Sequence, residues 1–401
     1  MIEKYYNGVI EQVAGGIGNV EHNSILVRYS NDFSIWDLES VNHYKDQTDI
    51  FFTCHEFSYN KIAEAYEPYL GLIRQMFHKY CSGTLEEFME ECDVYKLQRP
   101  VFESYFEKGF CERTEQILID EVEYEQERMR NSIVTMLQKL SEIRPVVIVL
   151  NRFQLASKST MQLSNSLLQV KNKNIGIVLG VNDVQSIPEF AHEEWDAICE
   201  SMDDRNMVYH IGNAGRNMEP DVMDYYSDYE SDDGYRKLNN LVYFLDFDQA
   251  NHHLSKIERR IKFDNFTISE KKHYQLLLLQ IMVSVLQRDI AKALESCEDL
   301  EKLQDQEKEG AFYYNFWMAT SYMYLGKLEE AMIYVQKAKE CGEALGDDFL
   351  VFRAELLKAQ NQMSGWCNIF FCAQDIEISD KLIEKLNAYH YKNHLAHIYI
   401  Y

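Results

Sequence analysis

The chain has 401 residues, 46% hydrophobic and 13% aromatic, with only 5 Pro and 17 Gly, which is enough to bury more than one core and excludes a disordered or fibrous chain. Its formal charge of −25 repels phosphate backbones and anionic headgroups, so no nucleic acid and no membrane is expected as a partner, and no run of Lys and Arg makes a local exception. The 9 Cys are an odd number scattered through predicted strands and helices, which fits reduced thiols in a cytoplasmic protein better than a disulfide framework.

The first residues, MIEKYYNGVIEQV, lack the basic region and apolar stretch of a secretory signal, and no apolar window is long enough for a spanning helix. AGGIGN at 14–19 reads as a turn. Short apolar runs then follow at 24–30, 49–54, 145–150, 174–181, 207–211 and 241–245, rich in β-branched and aromatic residues. Runs without polar alternation predict strands buried on both faces, hence a parallel sheet covered by helices. Long helical stretches are expected between them at 58–80, 84–94 and 112–143. The result is an α/β domain over 1–246.

EPDVMDYYSDYESDDGYR at 219–236 reads as an exposed acidic loop. It holds some residues of a calcium loop, but Gly234 falls one place late and Asn239 stands where the closing Glu should be, so a solvated loop is the expectation. From 247 to 401 the periodicity is helical, with no Pro beyond 220.

The clearest helical unit runs over 312–341 as two amphipathic helices joined at Gly326. Ala319, Ala331 and Ala338 allow close approach, and Tyr322 and Val335 fill the space between the helices. These positions resemble the tetratricopeptide (TPR) repeat, although Asn315 takes the place of its usual first aromatic. A weaker copy lies upstream, with 289–300 corresponding to 327–338, and a third pair is expected at 347–363 and 379–391 with WCNIFFC inserted. An irregular helical bundle is the alternative. Within the repeat register, Tyr313, Phe316, Thr320 and Met323 would face a groove suited to a protein or peptide.

RPVVIVLNRFQLASKST at 144–160 is a buried strand, a polar pair and a helix start. It resembles the Walker B region of the STAND class of signal-transducing P-loop ATPases: Phe153, Gln154, Ala156, Ser159 and Thr160 match, while Asn151 and Arg152 occupy the two acidic places. In that family the first acid organises Mg²⁺ and the second activates water. Asn offers no charged oxygen and Arg is a cation, so the resemblance implies lost hydrolysis. FFTC at 51–54 followed by Pro68 and Tyr69 resembles the family's intervening strand and helix. The phosphate loop should follow 24–30, where NDFSIWDLES has neither Gly nor Lys.

His390, His394 and His397 share a helical face without an acid or Cys to complete a metal site, and Cys367 and Cys372 lack a second pair, so neither group is read as a ligand set. His252 and His253 are adjacent and point apart. No hydrolase, metalloprotease or dinucleotide motif is found.

The sequence therefore predicts a parallel-sheet P-loop-like α/β domain followed by an all-α TPR-like domain, without catalytic residues, cofactor or metal. The resemblance implies a non-catalytic interaction module of a bacterial signalling protein, continued beyond the apolar HLAHIYIY end by an output domain such as a GGDEF diguanylate cyclase or a DNA-binding regulator. A nucleotide-binding switch without hydrolysis is the alternative.

Overall fold

The computed structural model describes residues 2–19, 23–30, 34–45, 49–58, 61–96, 98–111, 122–170, 172–183, 187–203, 207–211, 231–263, 267–366 and 380–388. Two compact units emerge: the first comprises Met1–Arg113 with Glu123–Gln249, and the second begins its main segment at Ala250.

The first unit holds a five-stranded parallel sheet of β1 (Ser24–Tyr29), β2 (Phe51–Glu56), β3 (Val146–Asn151), β4 (Ile175–Asn182) and β5 (Val208–Ile211), in the order β2-β3-β4-β1-β5. Burial follows the order. β3 and β4 are buried at every residue, whereas β2 at the rim is half-buried throughout. This explains why the β3 and β4 sequences are unbroken apolar runs.

Helix α1 (Ile2–Gly15) lies against β4. Its buried Tyr6, Ile10 and Val13 recur at helical spacing and form the face that meets the sheet. Glycines four residues apart on that strand make the approach possible. A Cβ on Gly176 would stand 2.7 Å from Val13 Cγ1, and one on Gly180 would overlap the Tyr6 hydroxyl.

α2 (Glu39–Lys45) leads into β2, and α3 (Tyr69–Tyr80), α4 (Leu85–Glu91), α5 (Arg99–Lys108) and α6 (Val122–Ile143) connect β2 to β3. α7 (Lys158–Gln169) follows β3, and α8 (His192–Asp203) follows β4. The helix expected over 58–80 begins only at Tyr69: residues 61–64 are irregular and 65–68 form a turn ending at Pro68, whose lack of an N–H suits a helix boundary. In the helix expected over 112–143, residues 112–121 lie outside the described residues.

One expected strand is corrected. LVYFL at 241–245 ends a helix, α9 (Asp232–Tyr243), and enters a turn. Ser231 caps α9 by accepting from Gly234 N, so the last part of the expected acidic loop is helical too. Leu238, Leu241 and Val242 are all buried at helical spacing, and a short apolar run does not by itself tell this from a strand. Residues 212–230 lie outside the described residues, and with them most of the expected loop.

From α10 (Phe247–Phe263) onward the structure is helical: α11 (Glu270–Leu286), α12 (Ile290–Lys302), α13 (Gly310–Tyr324), α14 (Leu328–Leu345), α15 (Asp348–Trp366) and α16 (Asp380–Ala388). Each helix from α11 to α15 packs on the next, α15 meets α16, and α11, α13 and α15 also meet one another in order. Tyr274, Ile281, Ala293, Cys297, Trp317 and Met318 make one shared core, and Ala319, Val335 and Leu357 another. Thus neighbouring pairs bury each other's faces, as stacked helical hairpins must.

The turns after α11 and α13 share a geometry, which recurs after α9 at Leu245 and after α14 at Gly346. Gly326 has φ 73° and Arg288 has φ 63°, each following a helix whose last carbonyls are capped by the same pattern: Gly326 N to Met323 O and Lys327 N to Tyr322 O, Arg288 N to Val285 O and Asp289 N to Ser284 O. The two turns stand at corresponding places in the proposed repeat, although only one carries the glycine that makes such a turn legible. No helix among the described residues is long and apolar enough to cross a membrane.

Candidate functional site

In an open parallel sheet, ligands bind beyond the carboxyl ends of the strands. Here those ends carry Tyr29 from β1, Glu56 from β2, Asn151 and Arg152 from β3, and Asn182 and Asp183 from β4. The register sets Glu56 opposite Asn151, and Tyr29 opposite Asn182. Tyr6 arrives from α1, where Gly180 leaves room for its ring.

The side chains form a bonded chain from β1 through β3 to β2. Tyr29 Oη donates to Asn151 Oδ1 at 2.8 Å, and Asn151 Nδ2 lies 3.3 Å from Glu56 Oε2. The same carboxylate oxygen accepts the Ile35 N–H at 2.8 Å. Its other oxygen pairs with Arg152 Nη1 at 3.1 Å. Tyr6, Tyr29 and Asn151 are buried. Burial, with Tyr29 and Glu56 nearby, drives the Tyr6 phenol well above its ordinary pKa, so it stays neutral.

Asn151 ends a fully buried strand and Arg152 follows it in the left-handed region at φ 54°, which turns the guanidinium towards Glu56. These residues do not suit a divalent cation. The amide oxygen of Asn151 is already engaged, and the nearby Glu56 carboxylate has the Arg152 guanidinium as its counter-charge, so a metal would meet a cation there and no free acidic ligand. Among the described residues no group of three or more His, Cys, Asp and Glu side chains could hold a metal ion. The His390–His394–His397 trio and the Cys367–Cys372 pair lie outside them.

The remaining motif residues act as a scaffold. Phe153 is buried between Phe57 and Trp195, and Gln154 Oε1 accepts the Asn182 N–H at 3.1 Å, tying the turn after β3 to the end of β4. Ser157 caps α7. Ser159 Oγ accepts Tyr66 N–H at 3.1 Å, and Ser159 N donates to the buried Asp246 at 2.8 Å. Thr160 Oγ1 donates to Glu67 O, and Ser157 Oγ to Glu64 O. The start of α7 thereby pins segment 64–67.

Pinning that segment brings two half-buried acids together. Glu64 Oε2 accepts from Asn240 Nδ2 at 2.9 Å, and Glu67 Oε2 accepts the Glu64 N–H at 3.1 Å. Burial, then the neighbouring Glu67, pushes the Glu64 carboxyl up to about 7. Burial raises Glu67 as well. His55, 3.6 Å from Glu67, is pushed down to about 4 by its own burial. A carboxyl raised on folding takes up a proton between its unfolded pKa near 4.5 and about 7, so its contribution falls as pH rises through that window and is flat above it. Glu64→Gln should keep the Asn240 contact and stabilise the protein at pH 8 by roughly 3 kcal/mol relative to its effect at pH 4. Urea unfolding at both values would show it, and an equal effect at both would refute the shifted titration.

In the second unit, Tyr313, Phe316 and Met323 are half-buried and Thr320 is buried, its Oγ1 donating to Phe316 O at 2.9 Å. The Arg353 guanidinium lies 4.2 Å over the Phe316 ring and 5.5 Å from Tyr313. Met323 packs against Ala319, Val335 and Leu357. The four side chains therefore share one helix and a neighbourhood of packed contacts. His253 is buried and pushed down to about 3, chiefly by burial, and so is neutral.

Sequence reasoning identified Asn151, Arg152 and the motif behind them. It missed Tyr6, Tyr29, Glu56 and Asn182. The spacing of Tyr6, Ile10 and Val13 could have revealed α1, whereas nothing local marks Glu56 as the partner of Arg152. No protein-family model, no curated protein and no solved structure matches this chain.

Proposed function

We propose that the chain is a non-catalytic regulatory module of a bacterial cytoplasmic signalling protein, in which a degenerate STAND-like, P-loop-like domain is a rigid platform and TPR-like helices capture a protein or peptide. The observation that carries this reading is the network at the strand ends. Where an ATP site would need an open cradle, a metal ligand and a base, the chain presents Tyr29, Asn151 and an Arg152–Glu56 ion pair, bonded to one another, with the buried Tyr6 hydroxyl beside them over Gly180.

Two further features favour it. β1, after which a phosphate loop would come, and β3, which would carry the metal ligand, end on the same side of the sheet with β4 between them. The helical hairpins repeat one turn geometry and place small buried residues, Ala319, Ala331 and Ala338, where paired helices approach.

The test is calorimetric titration of the purified chain with ATP and with ADP, each with and without Mg²⁺, together with a phosphate-release assay. Neither heat of binding nor phosphate release is expected. Magnesium-dependent binding with turnover would overturn the reading, and binding without turnover would replace it with a nucleotide switch.

A further inference from the structure

We propose that the exposed edge of β2 is a docking site for an extended acidic peptide, which joins the sheet as one more strand beside β2. β2 is the last strand in the sheet order. Phe51 N donates to Pro145 O at 2.7 Å and Phe57 N to Asn151 O at 3.0 Å, so these alternate positions face β3. Successive residues of a strand direct their backbone groups to opposite sides, which turns the N–H and C=O of Phe52 and Cys54 outward. Among the described residues neither of those N–H groups has a hydrogen-bond partner.

The start of this edge, Phe51 and Phe52, lines a cleft of about 630 Å³. Phe52 stacks on Tyr44 of α2 at 5.7 Å, and its neighbour Phe51 meets Tyr80 of α3 at 6.1 Å. Consecutive side chains of a strand point to opposite faces, so α2 and α3 flank β2 from the two sides. A cleft lined by Lys45 of α2, Phe51 and Phe52 of β2, and Arg74 and Lys79 of α3 therefore opens at the start of the strand's edge. This is the geometry of strand addition, in which main-chain bonds supply affinity and flanking side chains supply selectivity.

Charge names the occupant. Lys45, Arg74 and Lys79 line the cleft and among the described residues no carboxylate does, in a chain whose net charge is −25. Arg74 is held in place by Phe106 O at 2.7 Å and Glu107 O at 3.1 Å, and the Lys79 ammonium sits 5.8 Å from the Phe51 ring. An acidic strand would meet fixed cations on its flank, while a basic one would be repelled.

Gly71 keeps the cleft open. It lies inside α3, where glycine weakens a helix, and a Cβ there would meet nothing within 4 Å. Gly71→Leu should therefore fill the cleft without disturbing the fold, which circular dichroism would verify.

The experiment is fluorescence anisotropy with a fluorescein-labelled eight-residue peptide of alternating Glu and Thr. Saturable, salt-sensitive binding is expected, weakened at least about tenfold by Gly71→Leu, by Lys79→Glu and by N-methylation of alternate peptide amides, with no binding of the Lys–Thr counterpart. Failure of the Glu–Thr peptide to bind would overturn the proposal. So would equal binding of the N-methylated peptide, which would mean a charged patch without strand addition. A dimer by sedimentation that Gly71→Leu dissolves would assign the edge to a second copy of the chain instead.

Discussion

Replacing Glu56 with Ala should cost about 3 kcal/mol of folding stability, among the largest losses available to a single polar side chain in this protein. Both members of the Arg152–Glu56 pair are nearly buried, at 17% and 11% side-chain exposure. Removing the carboxylate leaves a guanidinium without its counter-charge and also deprives the Ile35 N–H and the Asn151 amide of their acceptor. The penalty is that of desolvated, unmatched groups and exceeds the worth of the pair itself. Accordingly, the double variant Glu56→Leu with Arg152→Met should recover the part of the loss that comes from the unmatched guanidinium, because an apolar pair of similar volume carries no charge to compensate, while the Ile35 N–H and the Asn151 amide stay without their acceptor. Urea unfolding of the three variants gives the result directly. A cost below about 1 kcal/mol for Glu56→Ala would mean that the pair is screened by solvent like an ordinary surface salt bridge.

The second large effect is expected at Gly180. An added methyl would overlap the Tyr6 hydroxyl and stand 2.7 Å from Asn151 Oδ1, so Gly180→Ala should destabilise by about 3 kcal/mol, at the upper end for overpacking. Tyr6→Phe removes the nearer of the two obstacles. Combined with Gly180→Ala it should cost less than the sum of the single changes, since the clash it relieves exists only in the presence of the methyl. Additive costs in thermal or urea unfolding would show that α1 yields freely and that Tyr6 does not plug the sheet.

Much of the sheet was legible because its strands are written in the least ambiguous form, unbroken apolar runs bounded by turn residues. β3 and β4 are such runs, and their central, doubly buried positions explain why. LVYFL looked the same and is the end of a helix, because a helix terminus buried all round also lacks polar interruptions; the capping Ser231 and the spacing of Leu238, Leu241 and Val242 were the discriminating signals. α1 was passed over for the opposite reason. Its charged and polar residues hide an apolar face that only the i, i+4, i+7 spacing reveals.

The candidate site was half legible. Asn151 and Arg152 stood out against the motif around them, but their partners come from β1, β2 and α1, far away in the chain. A pairing of that kind is a product of sheet order, which single positions do not encode. The hairpin turn at Gly326 was readable from its glycine, whereas its counterpart carries Arg288 in the same left-handed geometry, held there by the packing of the helices it joins.

The bonding of Asn151 also bears on how such a site could change by mutation. Its amide accepts from Tyr29 and donates towards Glu56, and aspartate can only accept. The substitution Asn151→Asp would place an acid at the end of β3 in one step, yet it would set two carboxylates against each other where an amide now bridges Tyr29 and Glu56. Arg152 and Tyr6 would have to change as well before the space could accept a cation and a phosphate. The present arrangement is thus fenced by epistasis: each neighbour penalises change in the others, so that any mutational route from this network to a cation site must cross several unfavourable intermediates.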